Sequence, residues 1–307
     1  MKAAVVHTLG EPPAYADFAE PVAQAGERLV TVTAAALSPL TRGRAAGTHY
    51  SVSGGVPFVA GVDGVGRLDD GRRVYFLLPR SPFGAMAERA PATHYIPLPD
   101  ELDDVAAAAL ANPGMSSWAA FRERARLQPG ETVLVNGATG ASGQLAVQIA
   151  RHWGAGRIVA TGRNREALAA LGADATIALG DDDVADARFR EEFERGIDVV
   201  IDYLWGHTAE RLLKAAAKAA PRPLRYVEVG AASGGEIALP GAVLRSDAIV
   251  VMGSGIGSVS LDRLVDCIGE FFAAAGSGGF GLPTQSIPLS EVGGHWRDDG
   301  ARVVFTL

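Results

Sequence analysis

One short segment constrains the fold of this 307-residue chain more than any other, because it joins an apolar strand, a glycine-rich turn and a helix. The apolar run 132–135 leads into the pattern Gly137-x-x-Gly140-x-x-Gly143, and helix-forming residues follow as far as Trp153. Glycine permits a sharp turn and lets the backbone approach a ligand closely. The start of a helix offers unpaired N–H groups to an anion. The pattern therefore predicts a strand–turn–helix unit.

This unit is typical of a site that holds the pyrophosphate of a dinucleotide. The residues predicted to contact the pyrophosphate belong to the turn and to the first helical positions, namely Gly137, Thr139, Gly140, Ala141, Ser142 and Gly143. A tight, close-packed turn that binds no ligand is the alternative interpretation.

From residue 131 onward, short apolar strands alternate with helix-like segments. The strand candidates are the runs 132–135, 158–161, 175–179, 197–201, 226–229 and 249–252. Continuous apolar strands flanked by helices favour a parallel sheet that is covered on both faces. Six such strands in about 120 residues match the size of one dinucleotide-binding domain. We therefore predict an α/β fold with a Rossmann doubly wound parallel sheet.

The end of the second predicted strand indicates which dinucleotide is bound. Sites for NAD usually carry Asp or Glu about 20 residues after the turn, to hold the ribose hydroxyls. Here residues 161–165 read Thr-Gly-Arg-Asn-Arg, and no carboxylate appears before Glu166. A small residue followed by Arg leaves room and positive charge for a 2′-phosphate. We predict NADPH, with contacts from Gly162, Arg163 and Asn164; solvated residues at a helix start are the alternative.

Residues 1–110 lack this alternation and show short β-like runs separated by clusters of Gly and Pro. That pattern predicts a small, irregular, mainly antiparallel domain. A last strand candidate at 302–305 indicates that the C-terminus returns to it. The predicted domains are residues 1–112 with 254–307, and residues 113–253 for the coenzyme-binding domain.

Composition argues against several other classes. The net charge is −7 and no block of Lys or Arg occurs, so nucleic acid is not an expected partner. Cys267 is the single cysteine, which excludes an intrachain disulfide and favours a reducing, cytoplasmic location. No apolar stretch is long enough to span a bilayer, so no membrane partner is expected. The chain also lacks the Tyr-x-x-x-Lys pair of short-chain dehydrogenases and the Gly-x-Ser-x-Gly elbow of many serine hydrolases.

Several markers spread along nearly the whole chain resemble the medium-chain dehydrogenase/reductase superfamily. They are the N-terminal run 1–5, the segment 59–66, the segment 129–135, the glycine turn and the run 148–150. Within this superfamily the chain is similar to the zinc-independent quinone oxidoreductase branch. The resemblance implies a GroES-like, irregular β-rich catalytic domain together with the Rossmann domain. It also implies NADPH-dependent hydride transfer to a quinone or an α,β-unsaturated carbonyl compound.

The resemblance also bears on zinc. Zinc-dependent members use a Cys, then His-Glu, then another Cys or Asp. The first position corresponds here to Ser38 and the pair to Val62-Asp63, and the lobe with four structural cysteines is absent between Phe83 and Pro97. Valine cannot ligate a metal, so no metal site is expected. Charge that develops on the acceptor must then be stabilised by a hydroxyl, a backbone N–H or water.

The catalytic residue implied by the resemblance is Tyr50, because related reductases carry a Tyr in this loop near the nicotinamide. Counting from Pro39 places that Tyr nearer His49, which is the alternative. Thr41 and Arg42 are further candidates to contact the substrate. These assignments predict that one hydroxyl or imidazole group assists hydride transfer.

The resemblance further implies coenzyme contacts after the later strands, and a homodimer that pairs through the sixth strand. The contact residues are Tyr203, Val229, Gly230 and Ser254. Two other functions stay open: an enoyl-thioester reductase, which needs a basic rim for its acyl carrier, and a non-enzymatic NADPH-binding sensor. Turnover of enoyl thioesters above that of quinones favours the first. Tight NADPH binding without reduction of any acceptor favours the second.

Overall fold

The structure is a computed structural model that describes residues 1–49, 55–217, 219, 221–297 and 301–307. The chain divides into two compact units: the first is Met1–Asn112 with Gly269–Leu307, and the second is Pro113–Ile268. Within the described ranges, no helix combines the length and the apolar character needed to cross a bilayer. The assignment of a catalytic and a coenzyme-binding role to the predicted domains stays a prediction.

The chain begins with short strands and two helices, since Gly and Pro interrupt its apolar runs. These elements are β1 (Lys2–Val6), β2 (Ala14–Asp17), β3 (Arg28–Ala36), α1 (Pro39–Ala46), β4 (Phe58–Val59), β5 (Asp63–Leu68), β6 (Arg73–Leu77), β7 (Arg89–Ala92), β8 (His94–Pro97) and α2 (Asp104–Ala119). The helix α2 continues as a π-helical segment, Ala120–Ala125.

Strands and helices then alternate, as the sequence predicts. These elements are β9 (Thr132–Asn136), α3 (Ala141–His152), β10 (Arg157–Gly162), α4 (Arg165–Ala169), β11 (Ala175–Ala178), α5 (Asp182–Arg195), β12 (Val199–Asp202), α6 (Gly206–Ala216), β13 (Leu224–Glu228), α7 (Gly241–Ser246), β14 (Ile249–Gly253) and α8 (Leu261–Gly276). The strands form one sheet in the order β11-β10-β9-β12-β13-β14, with every neighbouring pair parallel. The predicted doubly wound parallel sheet is confirmed.

The C-terminal residues complete the first unit. Their elements are β15 (Thr284–Pro288), a short 3-10 helix (Leu289–Glu291), α9 (Val292–His295) and β16 (Arg302–Thr306). The strand β16 pairs antiparallel with β3 and extends the sheet β15-β16-β3-β5-β6-β8, while β7 also pairs with β3. A smaller sheet has the order β2-β1-β4. The strand predicted at 302–305 is thus an inner strand of this unit.

Two polar side chains, Asp63 and Tyr75, are buried inside the first unit, and Arg302 of the same unit is partly buried. The hydroxyl of Tyr75 donates to Asp63 Oδ2 at 3.0 Å, and Arg302 donates to the carbonyl oxygen of Leu37 at 2.8 Å. Burial raises the pKa of Asp63 to about 6, although the charge of Arg302 and the bond from Tyr75 lower it in part. The Asp63 carboxyl is therefore easier to protonate in the folded chain than in the unfolded one.

We expect Asp63 to make the stability of the protein depend on pH. Folding raises its pKa from 3.8 to about 6, so its stabilising contribution is complete below the lower value and is lost as the pH rises through the higher one. The free energy of unfolding of the wild type, minus that of Asp63→Asn, should therefore increase by about 2–3 kcal/mol between neutral pH and a pH near 4. Urea unfolding of both proteins across this range measures the difference. A difference that does not change with pH would contradict the assignment.

Candidate functional site

The glycine turn between β9 and α3 leaves a helix N-terminus without a side-chain cap. Gly137 has a φ of +84°, a conformation that L side chains rarely adopt. A Cβ on Gly143 would lie 2.3 Å from the carbonyl oxygen of Gly137, so this glycine is needed for close packing of the turn on the helix. Gly140 is the N-cap and supplies no side-chain hydrogen bond. The first amides of α3 are therefore available to an anion.

A buried polar network underlies this turn. The Asn136 amide donates to Asp202 Oδ1 at 2.7 Å, and the Thr161 hydroxyl donates to Asn136 Oδ1 at 2.6 Å. The hydroxyl of Tyr226 donates to Asp202 Oδ2 at 2.6 Å. The backbone N–H of Gly137 donates to Thr161 Oγ1 at 3.2 Å. Because buried polar groups are costly when unpaired, these bonds fix the ends of β9, β10 and β12, and the middle of β13, relative to the turn.

The Asp202 carboxylate also orders the loop that follows β12. It accepts hydrogen bonds from the backbone N–H groups of Leu204, at 2.8 Å, and Trp205, at 3.2 Å. Trp205 has a φ of 53°, an uncommon conformation for a non-glycine residue. Burial raises the pKa of Asp202, and the hydrogen bonds from Tyr226 and the loop oppose that rise. One carboxylate thus fixes both a strand end and the start of a strained loop.

The end of β10 lies against the turn, as the NADPH prediction requires. A Cβ on Gly162 would lie 2.8 Å from Thr139 Cγ2, so these two residues are in close contact. Arg163 follows directly and is exposed. Asn164 is the N-cap of α4, and its Oδ1 accepts from the backbone N–H of Ala167 at 3.0 Å. The exposed guanidinium of Arg163 is therefore the cationic group predicted to bind the 2′-phosphate.

Tyr203, the first residue after β12, is joined to the start of α3 through Ser117. The hydroxyls of Tyr203 and Ser117 lie 2.7 Å apart. Ser117 Oγ also lies 3.1 Å from the carbonyl oxygen of Ser142 and 2.8 Å from that of Pro113. Burial raises the pKa of Tyr203, so its hydroxyl stays protonated at neutral pH. Two of the predicted coenzyme residues, Tyr203 and Ser142, thus both contact the hydroxyl group of Ser117.

The remaining predicted coenzyme residues follow β13 and β14. The backbone N–H groups of Val229 and Gly230 both donate to the carbonyl oxygen of Asp202, at 2.8 and 3.2 Å. The backbone N–H of Ser254 donates to the carbonyl oxygen of Glu228 at 2.7 Å. All the predicted coenzyme residues therefore lie at or just after the carboxyl ends of parallel strands, or at the start of α3. This is the edge at which ligands of doubly wound sheets bind.

In the first unit, Tyr50, the predicted catalytic residue, lies outside the described residues and stays a prediction. Its alternative, His49, is partly buried, and burial together with the charge of Arg44 lowers its pKa. Thr41 is buried, and its hydroxyl lies 2.9 Å from that of Ser38. The Ser38 hydroxyl also accepts from the Thr41 N–H at 3.0 Å and so caps α1.

A cavity of about 220 Å³ lies in the first unit. Its wall is mainly apolar, with side chains that include Leu9, Val56, Phe58 and Phe83. Thr41, Arg44 and Ser81 supply its polar groups. The cavity is therefore suited to a small molecule that is mostly apolar and carries few polar groups.

The donors at the positions that correspond to the family's zinc ligands do not fit zinc. The Ser38 hydroxyl caps a helix, the Val62 side chain is a hydrocarbon, and Asp63 Oδ2 already accepts from Tyr75. Across the described ranges, no cluster of three or more His, Cys, Asp and Glu side chains could hold a metal ion. Zinc independence stays a prediction, and this donor set supports it.

The family resemblance places Ser117 and Asp202 in segments beside the coenzyme, but sequence reasoning did not predict the hydrogen bonds by which these two residues and Asn136 position the site. Asn136 and Asp202 each end an apolar strand with a polar side chain, and that change of character is a signal that could have revealed them. Ser117 gives no such signal, because it lies within a helix and meets Tyr203 only in the folded chain. These residues position the turn and the later loop.

Comparison with known proteins places the chain in a family. The family described as zinc-binding dehydrogenase matches residues 141–270. A probable NADPH-dependent quinone reductase of Emericella nidulans is 31% identical, with 99% of each chain covered. A 2-haloacrylate reductase of a Burkholderia species is also 31% identical, over 69% of this chain and 68% of its own length.

Solved structures that resemble this chain include quinone oxidoreductases. The quinone oxidoreductase from Thermus thermophilus, solved also in complex with NADPH, is 30% identical with a TM-score of 0.84 and full coverage of both chains. A mycobacterial quinone oxidoreductase has a TM-score of 0.86 at 21% identity, which is a likeness of fold alone. The predicted combination of a Rossmann domain and a GroES-like domain is confirmed. The chain belongs to the medium-chain dehydrogenase/reductase superfamily, in its quinone oxidoreductase-like branch.

Proposed function

We propose that the protein is an NADPH-dependent oxidoreductase that transfers hydride, without a metal, to a quinone or an α,β-unsaturated carbonyl compound. The observation that carries the proposal is the uncapped N-terminus of α3 behind a close-packed glycine turn, next to the exposed Arg163. An anion-binding helix start and a cation at the end of the second strand match a phosphorylated dinucleotide. The relatives named for NADPH and for quinone reduction support this assignment.

The chain's own residues would bind and orient the coenzyme. The amides at the start of α3, from Ala141 to Gly143, would hold the pyrophosphate, and Gly137, Thr139 and Gly140 of the turn would lie beside it. Arg163 would pair with the 2′-phosphate, for which Gly162 leaves room. Asn164 would lie beside this phosphate while it caps α4. The residues predicted to line the rest of the coenzyme are Tyr203, Val229, Gly230 and Ser254. When bound, NADPH supplies the hydride.

Side chains of the first unit would stabilise the negative charge that develops on the acceptor. Tyr50 and His49 stay the candidates for this role. Since burial and Arg44 lower the pKa of His49, its imidazole is neutral at neutral pH and can donate a hydrogen bond without carrying a charge. One such hydrogen bond is sufficient for a quinone or an enone, because the negative charge that develops during hydride transfer is delocalised onto a conjugated oxygen.

The test is NADPH oxidation, followed optically, with small quinones, small enones and an enoyl-CoA as acceptors. The proposal expects turnover of quinones or enones that exceeds turnover of the thioester and that resists a metal chelator. Bound NADPH with no turnover of any acceptor would favour the sensor alternative. Faster turnover of the thioester would favour the enoyl-thioester reductase.

We also propose a homodimer formed through β14. This strand lies at the edge of the parallel sheet, and its Val250 is 53% exposed while Ile249 and Val251 are partly buried. An apolar edge strand is a ready site for pairing with a second copy. Light scattering coupled to size exclusion measures the mass in solution, and the mass of a single chain at micromolar concentration would contradict the proposal.

A further inference from the structure

The side chain of Arg44 is a partly buried cation that has no counter-ion among the residues that the structure describes. It lies in the last turn of α1, and burial lowers its pKa. Within the described part of the chain, its guanidinium has no hydrogen-bond or ion-pair partner. A guanidinium stays charged under such conditions, so a positive charge lies partly removed from water.

Other partly buried arginines of the same unit have partners. Arg73 forms an ion pair with Asp104 at 2.7 Å, and Arg80 forms one with Glu27 at 2.7 Å. Withdrawal of a charge from water costs free energy unless an opposite charge or several acceptors compensate. Arg44 therefore has the properties of a group whose partner is a ligand and not another side chain.

The surroundings of Arg44 limit what that ligand can be. Arg44 lines the cavity of about 220 Å³, whose wall is mainly apolar. The hydroxyl groups of Thr41 and Ser81 are the other polar side-chain groups of the described lining. The cavity is smaller than the roughly 300–1,000 Å³ of pockets for drug-sized ligands, so a small compound fits it better than a long acyl thioester. One anionic group on an otherwise apolar, compact molecule matches this lining.

We propose that Arg44 binds the carboxylate of the acceptor, and that the acceptor is a small enone acid. The proposal rests on the proposed function and specifies its substrate class. A planar guanidinium donates two parallel hydrogen bonds to a carboxylate, which gives orientation as well as affinity. In the reaction, the hydride adds to the carbon β to the ketone and a proton from water adds to the α-carbon. The C=C bond becomes a single bond, and NADPH becomes NADP⁺.

The experiment compares trans-4-oxopent-2-enoate with its methyl ester, which keeps the enone and the carbon chain of the acid but replaces the negative charge with a methyl group. The proteins are the wild type, Arg44→Gln, Arg44→Lys and the control Arg89→Gln, which removes an exposed arginine of β7 in the same unit. Loss of charge-assisted bonds should raise KM for the acid by roughly 10- to 100-fold in Arg44→Gln, with kcat within a few fold. KM for the ester should stay within about twofold, because the ester makes no charge-assisted bond to Arg44. Arg44→Lys should lie between wild type and Arg44→Gln, and Arg89→Gln should match the wild type.

Calorimetry with the saturated acid 4-oxopentanoate tests the subsite without turnover. Binding that is lost in Arg44→Gln and kept in Arg89→Gln supports the proposal. Equal KM values for acid and ester in the wild type, or equal binding of the saturated acid to wild type and Arg44→Gln, overturn it. Displacement of the saturated acid by equimolar inorganic phosphate also overturns it. If no variant oxidises NADPH with the ester or with benzoquinone, the proposed function fails, whereas the calorimetric result still decides the subsite.

Discussion

Replacement of Gly143 by alanine is expected both to lower the Tm and to weaken coenzyme binding. Its Cβ would lie 2.3 Å from the carbonyl oxygen of Gly137 and 2.6 Å from the Cα of Ala138, and backbone atoms cannot move aside as a flexible side chain can. Overpacking of this kind costs about 3 kcal/mol, which corresponds to a fall in Tm of roughly 6–12 °C for a unit of this size. Displacement of the amides of α3 should weaken NADPH binding on the order of 100-fold, the loss of one or two charge-assisted hydrogen bonds. Thermal unfolding and calorimetric titration measure the two effects.

Gly140→Ala is the matched control, because the same methyl group meets open space. Gly140 has a φ of −77°, which alanine adopts freely, and the added Cβ would have one described neighbour within 4 Å, the carbonyl oxygen of Gly137 at 3.7 Å. The Tm should fall by no more than about 3 °C, the effect of a weaker N-cap. The methyl group would still lie where the pyrophosphate approaches, so NADPH affinity should fall by about tenfold or more. Unchanged affinity in Gly140→Ala would contradict the assignment of this surface to the pyrophosphate.

Asp202→Asn is expected to destabilise the parallel sheet and to weaken coenzyme binding in addition. Its two oxygens accept from Asn136, Tyr226 and the backbone of the next loop. An amide offers one oxygen in place of two, so at least one buried donor loses its acceptor. The free energy of unfolding should fall by about 3 kcal/mol. Because Asn136 precedes the glycine turn, the turn should also lose its fixed position.

The substitution Asp198→Asn separates the loss of stability from the loss of coenzyme affinity. Asp198 precedes the same strand at its other end, where its carboxylate accepts from the backbone N–H of Thr132 at 2.9 Å and pairs with Arg222 at 3.3 Å. Its substitution should lower the free energy of unfolding by about 1–3 kcal/mol and leave NADPH affinity near that of the wild type. Equal NADPH affinities for the Asp202 and Asp198 variants, measured well below their Tm, would show that the network does not position the turn.

The parallel sheet and the glycine turn could be predicted because their signals are local. The apolar run predicted at 132–135 is β9, Thr132–Asn136, and the run predicted at 249–252 is β14, Ile249–Gly253. Continuous burial on both faces produces such runs irrespective of distant residues. The glycine pattern is likewise local, since it reports a positive φ at Gly137 and close packing between Gly143 and Gly137, which are only six positions apart.

The polar network could not be predicted, because its partners are distant in sequence. Asn136 bonds to Thr161, 25 positions away, and to Asp202, 66 positions away. These pairings depend on the strand order, in which β9 lies between β10 and β12. The sequence also could not predict that Arg73 and Arg80 form ion pairs while Arg44 has no such partner within the described ranges. Tertiary arrangement thus decides which charged side chains form ion pairs.

The proposed function depends most on the binding of a phosphorylated dinucleotide by the glycine turn and Arg163 together. Calorimetric titration of the wild type, Arg163→Ala and the exposed-arginine control Arg190→Ala with NADPH and with NADH tests it most directly. We predict that the wild type and Arg190→Ala bind NADPH at least about tenfold more tightly than NADH, and that Arg163→Ala loses this preference while its NADH affinity is kept. Equal affinity of the wild type for both coenzymes, or an unchanged preference in Arg163→Ala, would contradict it.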